Sequence, residues 1–278
     1  MNLNPLLLLK LEWQKFGPNT TFQVVCVLYG VFFTLATLLI FLIGDKIEFS
    51  SNGQTVRPVA DLLSFPRSWE LVAYIGSWVN VILAGFLGVF MMTLELGNRT
   101  LRQNIISGMT RTDVFVAKIS ALLGIAALGT ACYLVLGAVA GVLSSETLEM
   151  GVALPSLDLV ARYFLQCFGY ALLGTLLGLF IRQTALATLA YIAYVLFIEL
   201  IVRWLLYVTV LKEKIVFFLP DSVLETLVSF PVPEMAQQMA GKQEFVDGLS
   251  PAETWIAAVG YLVLFAGVLW QRLQKADY

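Results

Sequence analysis

LDLVARYFLQCFGYALLGTLLGLFIRQTALATLAYIAYVLFIELIVRWLLY, residues 157 to 207, decides the class of this chain. It holds two apolar runs, Leu157 to Ile181 and Thr184 to Tyr207, parted only by Arg182 and Gln183. A bilayer core takes roughly 20 apolar residues as an α-helix, so each run is long enough to cross one. So short a break makes the two helices a tight antiparallel hairpin. Working outward, four more runs have the same character: Thr21 to Ile43, Leu71 to Leu94, Phe115 to Leu143 and Ala252 to Trp270. The third run in chain order is long enough to tilt or to extend past the bilayer. The first exceeds the apolar core of a signal peptide, and Leu42-Ile43-Gly44 is no cleavage site, so it is expected to stay. The expectation is an all-α polytopic membrane protein of six spans in a single transmembrane domain, residues 1–278.

Composition agrees. Of 278 residues, 59% are hydrophobic and 13% charged, against roughly 45–50% and 25% in soluble domains. Mean hydropathy is +0.84. Seventeen Lys and Arg face nineteen Asp and Glu, for a net charge of -2, so there is no basic field for nucleic acid. The absence of histidine excludes His acid/base chemistry, His metal and haem sites and His pH switching. Cys26, Cys132 and Cys167 each lie inside an apolar run without CxxC spacing and read as small core residues.

Charge placement sets the orientation. With the N-terminus in the cytosol, that side carries nine basic groups (among them Lys10, Lys15, Arg99, Arg102, Arg111 and Lys118) and four acidic ones, Glu12, Glu95, Asp113 and Asp277. The other side keeps eight basic and fifteen acidic groups. The positive-inside rule therefore puts both termini in the cytosol.

The segments between the spans carry structure of their own. Within residues 1–20, Pro5 to Phe16 sets Leu6, Leu9, Trp13 and Phe16 at helical spacing, an interfacial amphipathic helix that Gly17-Pro18 breaks. Residues 95–114 read as a short cytosolic helix with Asn98 or Thr100 as its cap, Leu101, Ile105 and Ile106 as its apolar edge and Gly108 as its stop; a solvated loop obeying the positive-inside rule is the plain alternative. Thr110 or Thr112 caps the third span, with Asp113 in its first turn. In the first outer loop, Ser50-Ser51-Asn52-Gly53 looks like a hairpin and Asp61 to Phe65 is a short apolar piece. Residues 208–251 are too many for a plain connector. There, Ile215 to Leu219, and Val223 to Phe230 behind Asp221 or Ser222 as a cap, are short pieces that dip into the outer interface or pack over a cavity, as re-entrant or interfacial helices.

Few side chains suggest chemistry. Glu199 and Arg203 lie four apart in the fifth span, the acid first, and share a helix face. They either satisfy each other as an ion pair or line a substrate route. Arg162 reads as a snorkelling anchor at the outer end of the fourth span. Gly137 with Gly141, and Gly174 with Gly178, permit close helix approach, more within the chain than between chains. No P-loop motif occurs, so the chain cannot hydrolyse ATP by that mechanism alone.

The layout resembles the type-2 class of ABC exporter permeases: an interfacial N-terminal helix, six spans with both ends inside, a cytosolic helix after the second span and a structured outer loop before the sixth. Glu95, then Asn98-Arg99-Thr100-Leu101-Arg102-Gln103-Asn104-Ile105-Ile106, then Ser107-Gly108-Met109-Thr110-Arg111 and Lys118 are similar to the family's acid, its "RTL" element, its small-residue turn with Ser/Thr-Arg, and its lysine opening the third span. A proline common before Ser/Thr-Arg is replaced by Gly108. The likeness is to bacterial permeases of the cytoplasmic (inner) membrane whose ATPase is a separate polypeptide. It implies that Glu95, Arg99, Thr100, Arg102, Ile105 and Arg111 form or orient a docking surface for ABC ATPase subunits. It also implies that a second permease subunit, identical or related, completes the path. ATP and Mg would be bound by the partner ATPase, with no cofactor in this chain. The alternatives are a non-transporting ABC-type component that moves or regulates an envelope protein, and a secondary transporter using Glu199.

Overall fold

The computed structural model describes residues 5–46, 49–51, 54–56, 62–63, 66–144, 155–209, 214–231 and 249–275. Six helices in it are long and apolar enough to cross a membrane: Thr20–Ile43, Ser68–Gly97, Arg111–Val142, Leu157–Ile181, Thr184–Leu206 and Pro251–Lys275. They are called spans one to six below. The apolar runs located them to within a few residues. The second is longer at both ends, and the sixth continues to Lys275. Arg182 turns the hairpin between spans four and five with a left-handed φ of 58°, its N–H on the Gly178 carbonyl. Glycine is the residue that usually ends helices this way.

Spans two and four form the centre. Where they cross, backbones meet: Gly88 lies against the Ala171 carbonyl, Gly174 against the Gly85 backbone and Gly178 against the Val89 carbonyl. The Thr175 hydroxyl adds a bond to the Gly88 carbonyl (3.3 Å). Gly174 and Gly178 thus serve packing inside the chain, and Gly137 makes room for the Trp69 ring. Spans one and five turn large apolar side chains outward, among them Val27, Phe32, Leu42, Leu189 and Trp204. Lipid solvates such a surface where water would not. The protein is a multi-pass helical membrane protein.

Two turns depart from regular α-helical winding. Span two contains a π-helical turn at Asn80–Ala84 and span five another at Tyr194–Ile198, the latter closed by the N–H of Glu199 on the Tyr194 carbonyl. Such turns carry one extra residue and concentrate at functional sites. The Tyr191 hydroxyl of span five donates to the Val81 carbonyl of span two (2.6 Å) and occupies the space left by Gly85. A buried polar knot joins three spans: Tyr29 donates to Asn80 Oδ1 (2.6 Å) and lies 3.1 Å from the Tyr163 hydroxyl. Cys167 is buried, Cys26 and Cys132 are half-buried, and all three are free thiols.

The bundle has two ends. At one lie the N-terminal helix Pro5–Phe16 and the short helix Thr100–Ile106. At the far end are an antiparallel pair of strands, Phe49–Ser51 with Gln54–Val56, a 3-10 turn Lys214–Phe218 and the helix Pro220–Leu227. The strands sit on the expected hairpin; its Asn52-Gly53 tip, most of Asp61 to Phe65 and residues 232–248 of the last loop lie outside the described residues. Arg162 pairs with Asp158 one turn earlier, and Asp158 also accepts from the Trp255 indole (3.1 Å), so it is Asp158 that ties spans four and six together.

Candidate functional site

At the N-terminal end four charged side chains meet, three of them out of water and Lys15 half-buried. Glu12 and Lys15 come from the N-terminal helix, Glu95 from the last turn of span two and Lys118 from the second turn of span three. Lys118 Nζ lies 2.5 Å from Glu12 Oε2 and 2.6 Å from Glu95 Oε1; Lys15 Nζ lies 2.7 Å from Glu12 Oε1 and 2.6 Å from the same Glu95 Oε1. Relative exposure is 3% for Glu12, 1% for Glu95 and 3% for Lys118. Both ammonium groups stand over the Phe16 ring, at 5.1 and 5.8 Å from its centre. Burial alone would raise the Glu12 carboxyl, but Lys118 and Lys15 outweigh it and hold that carboxyl below its ordinary value. Burial would likewise lower the Lys15 ammonium, and Glu95 and Glu12 reverse the direction. Buried opposite charges in a closed network hold their elements together because none can be removed without stranding another.

This network corrects the expected face of the N-terminal helix. Leu8, Glu12 and Phe16 point inward, while Trp13 is 54% exposed beside Leu7 and Leu11. Of the expected stripe Leu6, Leu9, Trp13 and Phe16, the Leu6 side chain lies outside the described residues, Phe16 is buried and Leu9 half-buried, and Trp13 alone turns out; hydrophobicity does not show that Glu12 turns in, towards the buried Lys118. Pairings across 106 and 80 residues have no local signal. What the sequence offered was a lysine inside an apolar run and an acid inside a leucine-rich helix.

The short helix stands next to this network. Arg99 precedes it at a φ of 54° with no side-chain cap, so neither Asn98 nor Thr100 caps it; the Thr100 hydroxyl instead reaches back to the Glu95 carbonyl (3.3 Å). Its end follows expectation: Gly108 has φ 102°, with Met109 N–H on Asn104 O and Gly108 N–H on Ile105 O, a Schellman stop. Thr110 then caps span three reciprocally with Asp113: the Thr110 N–H and hydroxyl donate to Asp113 Oδ2 and the Asp113 N–H to Thr110 Oγ1. Leu101 anchors the short helix in the core and Ile105 packs half-buried beside it. Arg99 and Arg102 are exposed and Arg111 half-buried. Ile106, grouped with the apolar edge, is 75% exposed instead. Of the six residues expected at a docking surface, Arg99 and Arg102 are free to touch a partner, Thr100, Ile105 and Arg111 are partly covered, and Glu95 is wholly inside.

At the far end Glu199 and Arg203 do not pair with each other. Glu199 accepts from the Tyr194 hydroxyl (2.5 Å) and from the N–H groups of Asp221 (2.9 Å) and Ser222 (2.7 Å). It is the cap of helix Pro220–Leu227, whose own N-cap, Leu219, offers no side-chain bond. Asp221 and Ser222 therefore receive the cap and do not supply it. Arg203 reaches Ser222 Oγ (3.1 Å) and Glu225 Oε2 (3.4 Å). The helix is held further by Gln166, whose amide donates to the Leu224 carbonyl (3.1 Å), and by Leu224 lying over Gly169. Burial, then the charges of Glu199 and Glu225, push the Asp221 carboxyl up to about 7. Among the described residues no group of three or more metal-binding side chains is arranged to hold an ion.

No protein-family model matches the chain, and no curated protein matches it.

Proposed function

We propose that this chain is the membrane-spanning permease subunit of an ATP-driven exporter, working with a second permease subunit and two separate ATPase subunits in the bacterial inner membrane. In this reading the N-terminal end faces the cytosol. The observation that carries it is the charge network joining the N-terminal helix to the ends of spans two and three, beside a helix that offers Arg102 and Ile106 to a partner. A surface meant to transmit force needs rigid backing, and Glu12, Glu95, Lys15 and Lys118 provide it. Arg102 would engage ATPase acids by charge-assisted hydrogen bonds and Ile106 would enter an apolar cleft. Closure of the ATPase pair would then move both surface helices and the ends of spans two and three as one lever. Glu199, occupied by three donors, does not favour gradient-driven transport.

The test is a mild-detergent pull-down of the tagged chain from its native membrane, with and without Arg102→Glu. A nucleotide-binding ATPase copurifying with the parent chain and lost with the variant, at unchanged yield and thermal stability, is the expected outcome. A chain that brings down no ATPase, or a variant that captures it equally well, refutes the assignment.

A further inference from the structure

Two cavities share a wall at the far end of the bundle. One, of about 160 Å³, lies between spans two, four and five and the helix Pro220–Leu227, and is lined by Gln166, Tyr170, Glu199, Arg203, Asp221 and Glu225 among others. The other, of about 520 Å³, is a groove between spans one and two whose lining includes Phe32, Ala36, Ile40, Ile75 and Ile82 and no charged residue. Tyr74 and Trp78 line both. A chamber edged by charged side chains thus adjoins an apolar trough.

Among the described residues, the buried side-chain atoms of the chamber that have no partner are all of one kind. Gln166, 1% exposed, spends its N–H on Leu224 and leaves Oε1 buried without a partner. Asp221 Oδ1 is also buried and unpartnered. Both are acceptors. Three carboxyls, Glu199, Asp221 and Glu225, face the single guanidinium of Arg203; Glu199 is filled by three donors and Arg203 is drawn to Ser222 and Glu225. What the described residues leave out is positive charge bearing N–H groups. An anion would meet two or three carboxyls, and a quaternary ammonium would bring charge but no donor for Gln166.

We propose that chamber and groove form one binding site for an amphiphile with a primary ammonium head, the head between Asp221 and Gln166 and the apolar chain along spans one and two. The ammonium can belong to a lipid headgroup or to a free long-chain amine. The site depends only on the chain lying in a membrane, so its failure would leave the exporter reading intact, and the reverse.

The test is native mass spectrometry of the full chain in dodecyl maltoside, titrated with dodecylamine, lysophosphatidylethanolamine, lysophosphatidylcholine and butylamine. Dodecylamine or lysophosphatidylethanolamine is expected to bind once per chain, at least about tenfold more tightly than lysophosphatidylcholine, the difference a charge-assisted hydrogen bond makes. Binding of the lyso-lipid alone assigns the headgroup as the source, and binding of dodecylamine alone the free amine. Gln166→Leu removes the buried acceptor, and Glu225→Lys, at an exposed position that does not threaten folding, brings a competing cation; each should weaken binding about tenfold or more. Equal affinity for lysophosphatidylcholine, butylamine as good as dodecylamine, or an indifferent Glu225→Lys would overturn the proposal.

Discussion

Replacing Lys118 by methionine keeps the length and apolar stem of the side chain and removes only its charge. Two contacts vanish, at 2.5 Å to Glu12 and 2.6 Å to Glu95, and two buried carboxylates are left sharing Lys15. Breaking a buried ionic network from one side costs about 3–5 kcal/mol, because a charge stays behind unpaired. The least costly relief is for the N-terminal helix to leave, taking Glu12 into water. It is held otherwise mainly by the remaining Lys15–Glu95 pair and by Leu8 and Phe16, whose burial is worth about 1.5–3 kcal/mol each. The penalty is therefore comparable to the apolar burial that docks the helix. Hydrogen exchange of the amides of residues 9–16, in nanodiscs, should accelerate by about 100-fold or more in Lys118→Met. Glu12→Gln combined with Lys118→Met leaves Glu95 with Lys15 and no stranded charge, and should recover most of the protection. Native exchange in the single variant, or a double variant as loose as the single, would refute the network as the fastening.

Gly174→Ala places a methyl group against the Gly85 backbone and should lower the melting temperature by several degrees, since overpacking costs about 1–3 kcal/mol. Gly260→Ala, with open space around it, should leave that temperature unchanged or raise it; equal effects would deny the close crossing of spans two and four. Asp221 has its proton affinity raised by folding, so its contribution is fully present below the ordinary 3.8 and is lost as pH rises through about 7. Proteolysis within residues 214–231 should therefore be faster at pH 8 than at pH 6, and Asp221→Asn should abolish the difference.

The spans were legible because lipid imposes one local rule, an unbroken apolar run of sufficient length, and nothing distant has to be known to apply it. The Gly108 stop and the Thr110–Asp113 cap were legible for the same reason: each is decided within six residues. The missed features depend on contacts between distant segments. The inward turn of Glu12 is set by a lysine 106 residues away. The cap of helix Pro220–Leu227 comes from Glu199, some 22 residues earlier in the chain. At the same time, reading Glu199 and Arg203 as an i, i+4 pair was sound local reasoning. It failed because two backbone N–H groups and a tyrosine hydroxyl outcompete one half-buried guanidinium for that carboxylate.

The π-helical turn at Tyr194–Ile198 sets the angular phase of everything that follows it in span five. One residue advances an α-helix by roughly 100°, so deleting a single residue from that turn would swing Glu199 a quarter of the way round the helix, off the N-terminus of helix Pro220–Leu227. The deleted chain would keep the same hydropathy profile and the same number of spans. Its far end would lose its clasp to an error that only a protractor could detect.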